Sequence, residues 1–139
     1  MKTIKLFALG VFVAFAPLVI AQQSRMTYQH NLMPVPSSVQ FLDGRLNVTS
    51  TFQVATTGVS DARLQSAVGR FLNRLQGRTG LTLGTSAATA SLEIQCATAG
   101  QVIPSLDEDE SYQLEVTDQK VHVTAPTVVG ALRGLEIRG

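Results

Sequence analysis

The feature that most constrains the fold is a change in hydrophobic period between Ser60 and Thr79. Apolar residues recur there about every 3.6 positions, as on one face of a helix; they are Leu64, Val68, Phe71, Leu72 and Leu75. Ser60 is a suitable N-cap with Asp61 in the first turn, and Gly80 is a suitable end. The sequence therefore predicts one long amphipathic helix between two groups of shorter elements.

The flanking segments have the period of two that is typical of strands. Asp43-Gly44 favours a tight hairpin turn between apolar arms at 39–42 and 45–48. Further strands are predicted at 51–55 and 91–97, with a short one at 81–83. The last pair of strands, 111–117 and 120–124, sets an apolar side against a polar side that carries Gln113, Glu115, His122 and Thr124. One face of the sheet should therefore be covered and the other polar.

A second helix is predicted from Pro126, which suits a first turn. Gly130 and Gly134 lie four apart in it, and each would cost an isolated helix about 1 kcal/mol relative to alanine. Because these two positions carry no side chain, they indicate close packing of the helix against another backbone. The order of elements predicts an α+β fold, with a mainly antiparallel sheet and helices packed on one face.

The amino-terminal segment has the layout of a secretory signal peptide. Lys2 and Lys5 precede an apolar run from 6 to 20, and Val19-Ile20-Ala21 fits a cleavage site. About fifteen apolar residues are few for a membrane span, and an uncleaved anchor is the alternative. We expect residues 1–21 to be removed on export to the periplasm or the extracellular space, and residues 22–31 to form a leader without pattern.

Charge and cysteine content limit the partners and sites to be expected. Cleavage after Ala21 would leave nine basic and ten acidic side chains, a balance that favours neither nucleic acid nor an anionic membrane as a partner. Cys96 is the only cysteine, so no internal disulfide can form. Its place on the apolar side of 91–97 predicts a buried, unreactive thiol.

Two groups of side chains invite a catalytic or metal-binding interpretation. The run 107–110, Asp-Glu-Asp-Glu, could supply the paired carboxylates that glycosidases use, but consecutive acids on a loop point in different directions, so a solvated loop is preferred. Neither His30 nor His122 has an acid or cysteine at a metal-binding spacing, and we expect His122 to be exposed near Glu115. The sequence predicts no catalytic, cofactor-binding or metal-ligating residue and no cofactor.

Two surface motifs remain. Arg63, Arg70, Arg74 and Arg78 lie along one face of the long helix. This arginine stripe could bind an anion or a partner, but without interleaved aromatic residues a solvated helix face is preferred. Asn47-Val48-Thr49 fits the acceptor pattern for N-glycosylation, which matters only in a eukaryotic source.

Two segments together resemble the N-terminal domain of glycoside hydrolase family 20. LMPVPSSVQFLDGRLNV, residues 32–48, is similar to the start of that domain, a proline-containing entry followed by a hairpin. DESYQLEVTDQKVHVTAPTVVGALRGLE, residues 109–136, is similar to its end. Glu110, Tyr112 and Leu114 match an E-x-Y-x-L strand, and the steps at 130–131 and 134–135 match a linking helix. The resemblance spans roughly residues 32–136, nearly the whole of the expected mature chain.

The resemblance implies a β-N-acetylhexosaminidase, which removes terminal N-acetylglucosamine or N-acetylgalactosamine. In that family a (β/α)8 barrel follows the N-terminal domain, and an adjacent Asp-Glu pair in the barrel acts on the substrate. Asp109-Glu110 does not match that pair, because it precedes the N-terminal domain's own strand. No catalytic residue is therefore carried over to this sequence.

We therefore expect residues 32–125 to form a non-catalytic hexosaminidase N-terminal-like domain, and residues 126–139 a shortened connector helix toward a barrel that this sequence lacks, as in a fragment. The expected partner is that barrel, in the same polypeptide. The alternative is a free-standing exported module that binds carbohydrate or another partner through the polar sheet face or the arginine stripe.

Overall fold

The computed structural model describes residues 31–103 and 105–136, so the predictions for the signal peptide, for residues 22–30 and for His30 lie outside the described residues. The elements in order are β1 (Gln53–Gly58), α1 (Ala62–Thr79), β2 (Gly84–Thr85), β3 (Leu92–Thr98), β4 (Gln113–Val116), β5 (Val121–Thr127) and α2 (Val128–Leu135). No helix in these described ranges is long and apolar enough to cross a membrane.

The strands form one sheet in the order β2-β1-β3-β5-β4. β1 is parallel to β2 and β3, and β3 is parallel to β5, so β4–β5 is the one antiparallel pair among the described strands. The α+β class is confirmed, but the prediction of a mainly antiparallel sheet is wrong. The reason is that α1 carries the chain back along the sheet, so β3 starts at the same end as β1.

Helix α1 confirms the predicted amphipathic segment. Its C-cap is Gly80, with φ 71°, and its N-cap is Asp61 rather than Ser60. The Asp61 side chain accepts a hydrogen bond from the Arg63 backbone N–H at 2.7 Å, which satisfies one of the free donors of the first turn. The predicted apolar face turns inward, with Leu64, Val68 and Leu72 buried and the other two side chains partly buried.

Both helices contribute to one core, on one face of the sheet. α2 contacts β5, β3 and α1. The most deeply buried large side chains come from both helices and from the three central strands; they are Val54, Leu64, Ile94, Val123 and Val128. The predicted polar face is also present, because Gln113, Glu115 and Thr124 are exposed on the opposite side of the sheet.

Two strand predictions before the last pair of strands are wrong or displaced. Segments 39–42 and 45–48 form no hairpin, although Gly44 does adopt a positive φ of 121°. Leu46 and Val48 of the second arm pack against the core, but the first arm buries little apolar surface, since Leu42 is 73% exposed. The short strand expected at 81–83 lies instead at Gly84–Thr85. The remaining strands lie within about three residues of their predicted bounds.

Pro126 lies at the end of β5, not in the first turn of a helix. A proline within a sheet removes a backbone hydrogen-bond donor. Because β4 pairs with β5 only as far as Thr124, no β4 residue lies opposite Pro126 to lose a hydrogen bond. Helix α2 begins two residues later, with Thr127 as its N-cap.

The two glycines of α2 pack closely, as predicted. A Cβ on Gly130 would lie 2.2 Å from the carbonyl oxygen of Ser111, and one on Gly134 would lie 2.8 Å from Cγ1 of Val123. Both distances are too short for real contacts. The absence of side chains at these positions therefore sets how near α2 lies to the sheet.

Replacing Gly130 with alanine should destabilise the domain by about 1–3 kcal/mol, because the new methyl group meets a backbone atom that cannot easily move. The matched control is Gly77→Ala on α1, where a Cβ would meet nothing within 4 Å; it should stabilise by roughly 0.5–1 kcal/mol through helix propensity. Urea unfolding measures both variants. Equal stabilisation in the two would contradict the close approach of α2.

Candidate functional site

The strands β1, β3 and β5 end at the same edge of the sheet, which we call the carboxyl edge. Both helices begin there, and loop 99–112 leaves β3 from there to reach β4. Ligand sites of open α/β sheets are usually found outside the carboxyl ends of parallel strands. The polar side chains at this edge are therefore the first candidates for a functional site.

Arg63 makes the most connections at the carboxyl edge. Its guanidinium donates to both carboxylate oxygens of Asp61 at 3.1 and 3.0 Å, and to the backbone carbonyls of Ala99 at 2.8 Å and Gln101 at 3.0 Å. The hydrogen bonds from Arg63 hold the pKa of Asp61 below its ordinary value, and Asp61 in turn raises the pKa of Arg63. Arg63 thus ties the start of α1 to the loop that follows β3.

The acidic run 107–110 lies on the same loop, and its side chains diverge as predicted. Glu108 Oε1 accepts from the backbone N–H of Gln101 at 3.1 Å, and Asp109 Oδ1 accepts from that of Ser111 at 2.8 Å. Glu108 Oε2 is buried and has no hydrogen-bond partner among the described residues. The hydrogen bond from Ser111 lowers the pKa of Asp109.

Glu110 forms a two-pronged ion pair with α2. Its two oxygens accept from Nε and Nη2 of Arg133 at 2.9 and 3.1 Å, and this pairing lowers the pKa of Glu110. Thr127 adds a further link, because its hydroxyl donates to the carbonyl oxygen of Asp109 at 2.6 Å and accepts from the Gly130 N–H at 3.2 Å. The Glu110 side chain and the Asp109 carbonyl therefore fix the loop to α2, while the side chains of Glu108 and Asp109 bond within the loop.

The polar face of the sheet carries a second charged group. His122 lies opposite Glu115, as expected, and its side chain is 41% exposed. Its closer charged neighbour is Glu93, whose Oε2 lies 3.4 Å from His122 Nδ1. The ammonium of Lys120 also bonds Glu93 and is the main cause of the lowered pKa of that carboxyl. The sequence did not indicate this cluster, because β3 and β5 become neighbours only in the fold.

The arginine stripe divides into two parts. The Arg63 side chain bonds its own domain, whereas the side chains of Arg70, Arg74 and Arg78 are exposed and make no hydrogen bond or ion pair with any other described residue. The preferred interpretation, a solvated helix face, fits these three arginines and is wrong for Arg63. The Asp61-x-Arg63 spacing at the helix start was the available signal for that difference.

Cys96 is buried, as predicted. Its thiol donates to the carbonyl oxygen of Thr98 at 3.2 Å, and burial raises its pKa. A thiol with a raised pKa is a poor nucleophile at neutral pH. Across residues 31–103 and 105–136, no group of three or more His, Cys, Asp or Glu side chains is placed to hold a metal ion.

Two open depressions lie where the entry segment 32–39 runs beside β4. One is lined by Met33, Pro34, Glu110, Tyr112, Arg133 and Glu136, and the other by entry-segment residues together with Ser111, Tyr112, Gln113 and Leu114. Both are shallow and partly apolar, with Met33 at 62% and Leu114 at 41% exposure. The first depression contains two carboxylates, Glu110 and Glu136, but Glu110 is already paired with Arg133, and the second depression contains none among its lining residues.

A family model described as "beta-acetyl hexosaminidase like" matches residues 32–137 of this chain. The chain belongs to this family. The model describes the N-terminal domain of glycoside hydrolase family 20 enzymes, so the family inferred from the entry segment and from residues 109–136 is confirmed.

Individual relatives agree with this membership. The chain is 30% identical to the beta-hexosaminidase subunit beta of Mus musculus over 148 aligned positions, which cover 94% of this chain and 26% of the mouse protein. A chitobiase structure from Flavobacterium johnsoniae shares 40% identity and a TM-score of 0.69, over 75% of this chain and 17% of that one. A family 20 exo-β-N-acetylglucosaminidase from Vibrio harveyi, at 22% identity and a TM-score of 0.52, is similar in fold over 70% of this chain and 14% of its own.

The chain therefore spans about a quarter of the mouse hexosaminidase subunit and about a sixth of the Flavobacterium enzyme. The similarity places this chain in the domain that those longer proteins have in common. Their activities belong to the whole polypeptides.

The Asp61–Arg63 pair should make stability fall at acid pH. Because the pKa of Asp61 is lower in the folded than in the unfolded chain, its stabilisation is complete above the unfolded value, near 3.8, and is lost as pH falls through the folded value. Asp61→Ser retains an N-cap but no charge, so we expect a shallower loss of stability below about pH 4. Urea unfolding between pH 2 and 7, a range set by the ordinary carboxyl pKa, measures it.

The control for that experiment is Asp118→Ser, which removes an exposed acid from the β4–β5 turn. It should leave the acid limb of the stability profile unchanged. If Asp61→Ser and Asp118→Ser give the same profile as the wild type, the pairing with Arg63 contributes nothing to folding.

Proposed function

We propose that this chain is the non-catalytic N-terminal domain of an exported β-N-acetylhexosaminidase, an enzyme that hydrolyses terminal N-acetylhexosamine residues. The observation that carries the proposal is the family match across residues 32–137. The names of the mouse and Flavobacterium relatives, a hexosaminidase subunit and a chitobiase, support the substrate class. The basic and apolar pattern of residues 1–21 supports export.

The carboxyl groups support a structural role for this domain. A glycosidase needs a general acid whose pKa is raised, so that it is protonated near neutral pH. The resolved carboxyl pKa values move the other way: those of Asp61, Glu93, Asp109 and Glu110 are all lowered by donors of the same chain. These four groups are suited to hold loops and strands together and not to donate a proton.

In the proposed enzyme the chemistry belongs to the barrel that the family resemblance implies. There an adjacent Asp-Glu pair would act on the substrate, with Glu as general acid and base and Asp orienting the acetamido group of the sugar. The present domain would contribute through its packing against that barrel.

The test compares the purified 139-residue chain with the complete polypeptide encoded by its gene, both given a chromogenic β-N-acetylglucosaminide. We expect no release above the blank from the chain alone, because it lacks the acid–base pair, and turnover within the ordinary enzyme range of roughly 1–1000 per second from the complete polypeptide. A cooperative urea transition serves as the control that the isolated chain is folded.

Hydrolysis by the isolated chain would contradict a non-catalytic role. A complete polypeptide without activity would contradict the hexosaminidase assignment. Binding of chitooligosaccharides by the isolated chain, without any hydrolase domain in the same gene, would instead establish the free-standing module. Sequencing the mature amino terminus from culture fractions tests export, because a start after Ala21 is expected.

A further inference from the structure

The loop between β3 and β4 combines a fixed base with a bare apolar end. Val102, Ile103 and Leu106 are 91%, 81% and 104% exposed, and we call these three side chains the apolar tip. They are the most exposed large apolar side chains of the described residues. Such residues are usually scattered singly on a soluble surface, and a cluster of them is typical of an interaction site.

The base of the loop is held by bonds from α1 and by a bond within the loop itself. Arg63 of α1 binds the carbonyls of Ala99 and Gln101, and Glu108 closes the loop by accepting from the Gln101 N–H. Gly100 permits this closure, because it has φ 69° and a Cβ there would overlap the Glu108 carboxylate. The ends of the loop are therefore fixed before any partner arrives.

The same base is connected to α2. Thr127, the N-cap of α2, donates to the carbonyl oxygen of Asp109, and Arg133 of α2 holds Glu110. The apolar tip is consequently displayed in a set position relative to the helix that, in the family, leads toward the catalytic barrel. A contact made by a pre-organised loop loses less conformational entropy than one made by a loop that must first be ordered.

We propose that the apolar tip inserts into an apolar depression on the catalytic domain of the same polypeptide. This proposal rests on the proposed function, since it needs that domain to be present. Three side chains bury far less than the ~800 Å² per partner of a standard interface. A contact of that size cannot offset the loss of free motion of two separate molecules, but it suffices for a tethered partner whose effective concentration is on the order of millimolar.

The surroundings of the apolar tip argue against two other occupants. The acidic run 107–110 follows directly, and an anionic lipid surface would repel it. A second copy of the chain would be a separate molecule. A contact of three side chains is too small to hold two separate molecules together. A tethered domain is left as the occupant that fits both the size and the charge of this surface.

The experiment uses the complete polypeptide as wild type, as the tip variant Ile103→Ser/Leu106→Ser, and as the control Leu42→Ser, in which a 73% exposed leucine outside the loop is replaced. We expect amides of 101–103 and 105–107 to exchange hydrogen at least about tenfold more slowly in the wild type than in the tip variant. The tip variant should also speed exchange in one segment of the catalytic domain, which identifies the receiving surface. Its Tm should fall by about 2–4 °C, whereas Leu42→Ser should leave the Tm nearly unchanged.

Fast exchange of 101–103 and 105–107 in the wild type, or the same Tm change in the tip variant and in Leu42→Ser, would overturn the proposal. Protection that increases with protein concentration, together with a dimer mass in sedimentation, would also overturn it and assign the apolar tip to self-association. Hydrolysis of a β-N-acetylglucosaminide by the same wild-type preparation is scored separately. An inactive polypeptide therefore refutes the hexosaminidase assignment, while an active one with an unprotected loop refutes the proposed contact alone.

Discussion

The close approach of α2 to the sheet is the constraint on which the rest of the structure depends. At Gly130 the helix backbone comes against the carbonyl of Ser111, in the space that a methyl group would need. This contact fixes the chain just before β4, and Tyr112 then packs beside Gly134 one turn later. The same approach brings Thr127 and Arg133 within reach of Asp109 and Glu110. One backbone contact thus positions β4, the loop before it and the ion pair at the carboxyl edge.

The parts of the fold that could be predicted are those with a local signal. The 3.6-residue period set the inward face of α1, and Gly80 marked its end because a left-handed residue is needed there. The spacing of Gly130 and Gly134 indicated close packing before any partner was known. In each case the physical cause lies within a few residues of the effect, so a single sequence contains it.

Strand direction could not be predicted in the same way. Apolar and polar residues alternate with a period of two in parallel and antiparallel strands alike. The pattern of β1 and β3 therefore does not indicate whether the two strands run parallel or antiparallel. The direction follows from where α1 delivers the chain, which is a property of the whole fold. Asp43-Gly44 shows the related limit: the positive φ is present at Gly44, but a turn makes a hairpin only when both arms find an apolar surface to cover.

The partners of the charged side chains also lie far from them in the sequence, so the sequence pattern does not reveal them. The sequence distinguishes Arg63 from Arg70 and Arg74 only by its spacing from Asp61, and its carbonyl partners lie 36 and 38 residues away, on the loop after β3. Glu93 and His122 meet because β3 and β5 are neighbours in register. A stripe or an acidic run therefore identifies which residues are charged, whereas the topology decides which of them are used internally and which stay exposed.

The paired groups and the exposed groups of this domain have different roles. Several of its carboxylates are paired with donors of the same chain, and this pairing lowers their pKa values. These pairs connect the loops and strands of the domain. What they leave exposed is different in kind: Arg70, Arg74 and Arg78 on α1, and the apolar tip beyond the carboxyl edge. The internal bonds of the domain therefore determine where these surfaces lie, and these surfaces are what the domain presents to its surroundings.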